Sequence, residues 1–383
     1  MVKKTVLVCP MDWGLGHASR CIPVINALMN AGCRVVVASS GPGADLIMNE
    51  YKTGRPEIIP FPGFTVSYSR RFLFLRLAFQ IPEFLYHIRK EKKMLKELVI
   101  KVRPDLIISD NRYGLVHDSV PSVLITHQLS PSLPLFFKLL EKPLAMIIRK
   151  WASQFDECWI PDNQSAAAAG ELIAEWDRLP RVFFTGWLSR FLPGIAGRAE
   201  GGGSPVNPPV LTEGAGWRYK VMFILSGPEP QRSMLEKMII GGCARTGIRA
   251  LLVRGVPGIT PEREMNGALE VVSFLESRAM LQAIGDSRFI VCRSGYSSVM
   301  DMLVLGKKAV LIPTPGQSEQ EYLGRWLEER GWFPMVKQRD FSVEVVLERE
   351  ILYNRDFGIP LFDHDRMGKL LQERVNTILS RLP

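Results

Sequence analysis

Residues 291–327 read VCRSGYSSVMDMLVLGKKAVLIPTPGQSEQEYLGRWL, and their punctuation parses as two successive strand–turn–helix units. Phe289 to Cys292 is an apolar run of strand length, ended by the turn-forming cluster Arg293-Ser294-Gly295. Ser297 or Ser298 is placed to cap a helix running through Leu305, which Gly306 stops. Ala309 to Ile312 repeats the strand pattern and Pro313 to Gly316 ends it. Ser318 then opens a second helix with Glu319, Gln320 and Glu321 in its first turn. Continuous apolar strands alternating with helices belong to parallel sheets covered on both faces.

Such a loop does more than connect. Backbone N–H groups of Ser294, Gly295, Tyr296 and Ser297 at a helix start favour an anion such as a diphosphate. Asp301, one turn inside that helix, could accept hydrogen bonds from a ribose diol. Gln317, Gln320 and Glu321 carry the amide and carboxylate groups that pair with vicinal hydroxyls. Pattern alone is equally satisfied by an ordinary pair of capped αβ turns.

The same alternation extends in both directions. Thr5–Cys9, Arg34–Ala38, Glu57–Ile59, Leu106–Ser109, Ser122–Ile125 and Glu157–Ile160 are the first series of candidate strands, with helices such as Arg20–Ala31 and Pro82–Val102 between them. Lys220–Leu225, Ala250–Val253 and Glu270–Val272 begin a second series that runs into the opening stretch. Between the series, the Gly- and Pro-rich residues 191–217 read as a linker. The expected order is residues 1–190 as an N-terminal Rossmann-like domain, 218–360 as a C-terminal domain of the same kind, and 361–383 as a final helix packing back on the first domain. A chain of 383 residues suits two such domains facing across a cleft, with ligands at the carboxyl ends of the strands.

In the first domain, the strand Thr5–Cys9 leads into Asp12-Trp13-Gly14-Leu15-Gly16-His17-Ala18-Ser19-Arg20. Ser19 replaces the third glycine of a dinucleotide fingerprint and no acid closes the second strand, which disfavours a nicotinamide or flavin cofactor. His17 is the first candidate for general base, because a helix N-terminus favours neutral imidazole. Asp12, on the same loop, is the competing base or a turn-forming residue. Asp110, Asn111 and Arg112 follow one strand and His127 and Gln128 the next, positions suited to acceptor binding, with Asp110 or His127 orienting His17 or replacing it. In the second domain, Ser226, Gly227, Gln231 and Arg232 lie where a strand ends and a helix opens, and could hold a diphosphate.

The run Cys292-Arg293-Ser294-Gly295, the acid six residues on at Asp301, Gly306, Pro313, and Gln320-Glu321 before Tyr322 resemble the donor half of the GT-B glycosyltransferases. The likeness is to a family 28 C-terminal domain, in the branch of the lipid-linked N-acetylglucosaminyltransferases of peptidoglycan synthesis. Gly14-Leu15-Gly16-His17 is similar to that family's glycine-rich loop, whose His faces the donor diphosphate and the acceptor. The resemblance implies that Asp301 holds the ribose, that Gln320 and Glu321 contact the donor sugar, and that Phe274 and Leu275 sit where the base is held, Phe274 as a stacking ring. It also implies an inverting transferase moving a sugar, expected to be an N-acetylhexosamine, from a UDP-sugar to a cell-envelope or lipid-linked acceptor without a metal. Three departures stand out: Glu321 for a second Gln, Asp301 for a Glu, and Pro228 and Pro230, which remove two N–H donors from the first phosphate loop. A UDP-sugar hydrolase or epimerase, or a non-enzymatic nucleotide-sugar binding protein, would share the donor half.

Net charge is +9, and residues 64–103 contribute ten Lys or Arg against three Glu, interleaved with Phe and Leu. Aromatics among arginines suit an anionic membrane surface, and no recognition motif points to nucleic acid. No run approaches the roughly 18 uncharged apolar residues of a membrane span. The expectation is a cytoplasmic enzyme, peripheral on the inner face of the plasma membrane. Six cysteines without a CxxC pair read as reduced thiols. Asp363-His364-Asp365 imitates a metal motif but reads as a loop before the final helix.

Overall fold

The computed structural model describes residues 3–12, 14–51, 54–63, 73–133, 135–165, 167–192, 216–256, 262–356, 358–359 and 364–382. Most of the linker, the arginine-rich start of the basic segment at 64–72, and Asp363 lie outside them. The chain divides into two compact units, Met1–Gly201 with His364–Pro383, and Gly202–Asp363.

The first unit begins with β1 (Thr5–Cys9), α1 (Leu15–Asn30), β2 (Arg34–Ala38), α2 (Gly41–Glu50), β3 (Glu57–Ile59) and α3 (Leu73–Val102). It continues with β4 (Leu106–Asp110), β5 (Ser122–Ile125), α4 (Glu141–Ala152), β6 (Glu157–Ile160) and β7 (Val182–Phe184). The strands form one parallel sheet in the order β3-β2-β1-β4-β5-β6-β7. Their β-branched and aliphatic residues alternate between two covered faces. Leu7, Cys9, Val36 and Ile107 meet Leu95, Leu98 and Val102 of α3.

Helix α1 starts five residues before the expected Arg20. Gly14, at φ 73°, turns the chain directly out of the β1 loop, so Gly16 and His17 fall in the helix's first turn. Strand β7 carries only three half-buried residues, too short an apolar run to stand out in the sequence.

The second unit comprises β8 (Tyr219–Ile224), α5 (Gln231–Thr246), β9 (Ala250–Val253), β10 (Arg263–Asn266), β11 (Leu269–Val272) and α6 (Ser277–Gly285). After these come β12 (Ser287–Cys292), α7 (Tyr296–Leu305), β13 (Ala309–Leu311), α8 (Ser318–Glu329) and α9 (Val343–Asp356). Sheet order is β10-β11-β9-β8-β12-β13, parallel except for the exposed hairpin strand β10. Phe223, Leu252, Phe289, Val291 and Ile312 pack with Leu235, Ile239, Val343 and Val346 into its core. Gly295, not Ser297 or Ser298, is the N-cap of α7, because the turn after Cys292 is short enough to start the helix at Tyr296.

Helix α10 (His364–Leu379) returns to the first unit. Gln372 Nε2 donates to the Ala27 carbonyl at the end of α1 (3.1 Å), and Arg374 pairs with Glu157 of β6 while stacking over Phe183.

Each sheet reverses its winding once, between β1 and β4 in the first and between β8 and β12 in the second. Ligands of open parallel sheets bind outside the carboxyl ends of the strands at such reversals. The loops after Cys9 and Asp110, and after Ile224 and Cys292, are therefore the places to look. All six cysteines are buried and unpaired. No helix among the described residues is long and apolar enough to cross a membrane.

Candidate functional site

At the first reversal, the opening turn of α1 meets the end of β4. His17 Nδ1 lies 3.1 Å from Asp110 Oδ2. Arg20, one helical turn beyond His17, sends Nε to both Asp110 oxygens (2.8 and 2.9 Å) and Nη2 to Oδ1 as well. Its Nη2 is also 2.9 Å from His17 Nδ1, and its Nη1 is 2.8 Å from Nδ1 of His127, which follows β5. Burial by itself would raise the Asp110 carboxyl, but Arg20 and His17 outweigh it and hold it at about 2. The carboxylate is thus ionised at any ordinary pH.

Exposure separates the roles of this cluster. The Asp110 side chain is 0% exposed and that of Arg20 1%, whereas the His17 side chain keeps 14%. Of these three, His17 alone offers an appreciable edge to a ligand. Nδ1 can either donate to Asp110 or accept from Arg20, and the tautomer that donates to Asp110 leaves Nε2 as a lone-pair acceptor, the arrangement that orients a general base.

The competing base, Asp12, is occupied otherwise. Its Oδ1 accepts from Ser39 Oγ (3.1 Å) and the Ser40 N–H (3.2 Å), and its Oδ2 accepts from the Gly63 N–H (2.7 Å). The Arg112 guanidinium stands 3.9 Å away. Asp12 therefore ties the β1 loop to the loops after β2 and β3. Arg112 itself is buried, donates to Glu91 of α3 at 3.0 Å and lies over the Phe61 ring. Burial raises the Glu91 carboxyl and Arg112 only partly offsets this. Expected as an acceptor contact, Arg112 is instead an internal strut, because α3 brings Glu91 beneath it. Asn111 adopts φ 57° and accepts from Thr126 Oγ1 (3.1 Å), while the Gln128 N–H donates to that same Oγ1 (3.1 Å). The ends of β4 and β5 are thus laced into one polar surface.

In the second unit, the turns after β12 and β13 are knit together. Ser294 Oγ donates to the Gln320 carbonyl (2.7 Å), and Gln320 Oε1 accepts from the Thr314 N–H (2.9 Å). Gln320 Nε2 also donates to Gln317 Oε1, and Glu321 Oε1 accepts from the Gly316 N–H (3.1 Å). A Cβ placed on Gly295 would stand 3.8 Å from Gln320 Nε2. Ser294, Gly295, Gln317, Gln320 and Glu321 therefore form one cluster at the carboxyl ends of two strands. Tyr296 is buried in the first turn of α7, beside half-buried Ser297, and Asp301 is half-buried further along that helix.

At the neighbouring loop, Gly227 has φ 96° and is exposed, with Ser226 half-buried beside it. The Gln231 side chain accepts from Gln338 Nε2 (3.1 Å). Arg232, expected to hold a diphosphate, pairs instead with Glu229 and with Glu236 (3.3 Å), its i−3 and i+4 neighbours about the start of α5. Phe274 and Leu275 are 4% and 5% exposed, so the Phe274 ring is covered and presents no open stacking face. Sequence reasoning passed over Arg20 and Arg293 as functional side chains. The signal for Arg20 was its i, i+3 spacing from His17. Among the described residues, no group of three or more His, Cys, Asp or Glu is arranged to hold a metal ion.

Parts of this sequence and its fold are found in known proteins. Residues 260–353 match the glycosyltransferase family 28 C-terminal domain. The chain is 24% identical, over 162 residues, to the UDP-N-acetylglucosamine–N-acetylmuramyl-(pentapeptide) pyrophosphoryl-undecaprenol N-acetylglucosamine transferase of Sulfurihydrogenibium sp.. That match covers 40% of this chain and 46% of the relative, so the chain spans about half of its length. An uncharacterised glycosyltransferase of Methanosarcina mazei is 24% identical over 385 residues, covering 93% of this chain and 91% of that one. Among solved structures, a glycotransferase of kitacinnamycin superposes with a TM-score of 0.62 at 15% identity, covering 100% of both chains.

Proposed function

We propose that this chain, a glycosyltransferase of the GT-B fold with a family 28 C-terminal domain, is an inverting enzyme. In this reading it moves a sugar, expected to be an N-acetylhexosamine, from a UDP-sugar to a lipid-linked or cell-envelope acceptor. The observation that carries the reading is the His17–Asp110 pair at the β1/β4 reversal, with a family 28 sequence match across the second unit's α7 and α8 loops. His17 Nε2 takes the proton of an acceptor hydroxyl while Asp110 stabilises the imidazolium that forms. The hydroxyl oxygen bonds to the anomeric carbon as the bond to the UDP oxygen breaks, inverting the centre. The N–H groups at the starts of α5 and α7 stabilise the leaving diphosphate. His17 is preferred to Asp12 because the Asp12 oxygens are already taken by backbone and hydroxyl donors.

The relative's name supplies the acceptor class, and one surface supports it. On α4 and the turn before it, Leu139, Leu140, Met146 and Ile147 are exposed, Leu139 at 92%, and exposed Lys138, Lys142 and Lys150 flank them. Apolar residues bordered by lysines suit the headgroup region of an anionic bilayer. We place the enzyme on the inner face of the plasma membrane, in contact through this face.

Incubation of the protein with a UDP-sugar panel, with and without membrane lipid extract, tests the reaction. UDP release that requires the extract, with a product of inverted configuration, is the expected result. UDP release without any acceptor would make it a hydrolase, and an altered sugar still attached to UDP would make it an epimerase.

A further inference from the structure

Three arginines of this chain, Arg20, Arg112 and Arg293, are fully buried among the described residues. Arg20 has Asp110 and Arg112 has Glu91, but Arg293 has no carboxylate partner among the described residues. Its acceptors are all neutral. Nη1 donates to Gln338 Oε1 (2.7 Å) and, at longer range, to the carbonyls of Ile312 (3.4 Å) and Pro313 (3.5 Å). Nη2 donates to the Gln231 carbonyl at the start of α5 (3.0 Å), and Nε is buried with no hydrogen-bond acceptor. Burial lowers its guanidinium to about 10, with no nearby acid to restore it.

A desolvated cation without a counter-charge is costly to the folded state. Its position gives the cost a use. Arg293 sits at the end of β12, one residue before the Ser294-Gly295 turn, and it bonds to the first turn of α5 beyond the β8 loop. The starts of α5 and α7 contribute partial positive charge at the same reversal of the sheet. An anion bound there would be the missing partner of the Arg293 charge.

We propose that Arg293 is a positioning residue that supplies, from beneath the loops, the counter-charge for the donor's diphosphate, and so sets the preference for a nucleoside diphosphate over the bare nucleoside. It acts through space and through Gln231, without touching the ligand. This inference rests on the donor reading of the second unit given above.

Calorimetric titration of the full chain with UDP, uridine and inorganic pyrophosphate tests it. Arg293→Met is expected to weaken UDP and pyrophosphate about tenfold or more while changing uridine less than about threefold, and Arg293→Lys to keep most of the UDP affinity. Since the Met variant removes four hydrogen bonds and can fail to fold, Gln338→Glu gives a second measurement. It neutralises the buried charge in place, keeping the oxygen that accepts from Arg293 and giving up the Nε2 bond to Gln231, and it too should erode the UDP-to-uridine ratio by about tenfold. Equal losses for UDP and uridine in folded Arg293→Met, or an unchanged ratio in Gln338→Glu, would overturn the proposal. A wild-type protein that binds neither UDP nor uridine sinks the donor reading and this inference together. Wild-type binding with an unmoved ratio in the variants sinks the inference alone.

Discussion

Arg20 bonds both oxygens of Asp110 and reaches His127, so the carboxylate that faces the candidate base is itself fixed from behind rather than free to swing. Replacing His17 by Ala should lower kcat by about 10² to 10⁴, the usual contribution of a general base. On the proposed reading UDP should still raise the melting temperature of this variant, because the loops assigned to the nucleotide belong to the second unit. Full turnover in that variant would move the base elsewhere. Asp110 gives a pH signature. Its folded carboxyl sits at about 2 against an ordinary 3.8, so it contributes stability above about pH 4 that disappears as pH falls toward 2. That contribution is about 2 kcal/mol at neutral pH. The urea midpoint of Asp110→Asn should trail the wild type at pH 7 and approach it near pH 2; a constant gap would reject the linkage. His17 and Asp110 were legible because a polar residue just past an apolar strand of a parallel sheet has few places to go. Arg20 was not, since its partnership depends on a helix that begins at Leu15. Nor was the burial of Arg112, whose partner Glu91 lies 21 residues earlier on α3.

Strands were easier to read than their neighbours. Thr5–Cys9, Arg34–Ala38, Ser122–Ile125, Glu157–Ile160 and Ala250–Val253 are found with the expected ends, because parallel strands covered on both faces are continuous apolar runs. Strand β10, Arg-Glu-Met-Asn and exposed throughout, carries no such run. It forms because β11 offers a ladder across the turn at Gly267. Helix starts misled where serines imitated caps, since Ser297 and Ser298 lie inside α7 behind Gly295. One glycine supports the Ser226-Gly227 loop by its smallness. Gly255, after β9, has φ 69°, and a Cβ there would stand 2.3 Å from the Leu225 carbonyl oxygen, at the root of the Ser226-Gly227 turn. Gly255→Ala should therefore cost the second unit about 2 kcal/mol or more, combining left-handed strain with a backbone clash. A melting curve matching the wild type would show that the loop yields freely.

For the molecule as a whole, two parallel sheets that each reverse once were foreseeable from the two series of apolar runs on either side of a Gly- and Pro-rich stretch. The surface was less legible. The basic, aromatic segment at 64–103 drew attention in the sequence, and where it is described it exposes Tyr86 and Ile100 among exposed lysines; α4 and the turn before it expose a second such face, although EKPLAMIIRKWA looks like any amphipathic helix until its outer face is known. Exchanging Leu139, Met146 and Ile147 for Ser, and Lys138, Lys142 and Lys150 for Gln, should abolish flotation with anionic liposomes and leave UDP binding intact. Unchanged flotation would remove α4 from the membrane contact.

The return of α10 to the first unit makes the second unit an insertion within the first. As the chain leaves the ribosome, the insertion can close its sheet while its host still lacks the helix that packs beside α1 and bonds Glu157. The second unit thus has all of its strands before the first has its last helix.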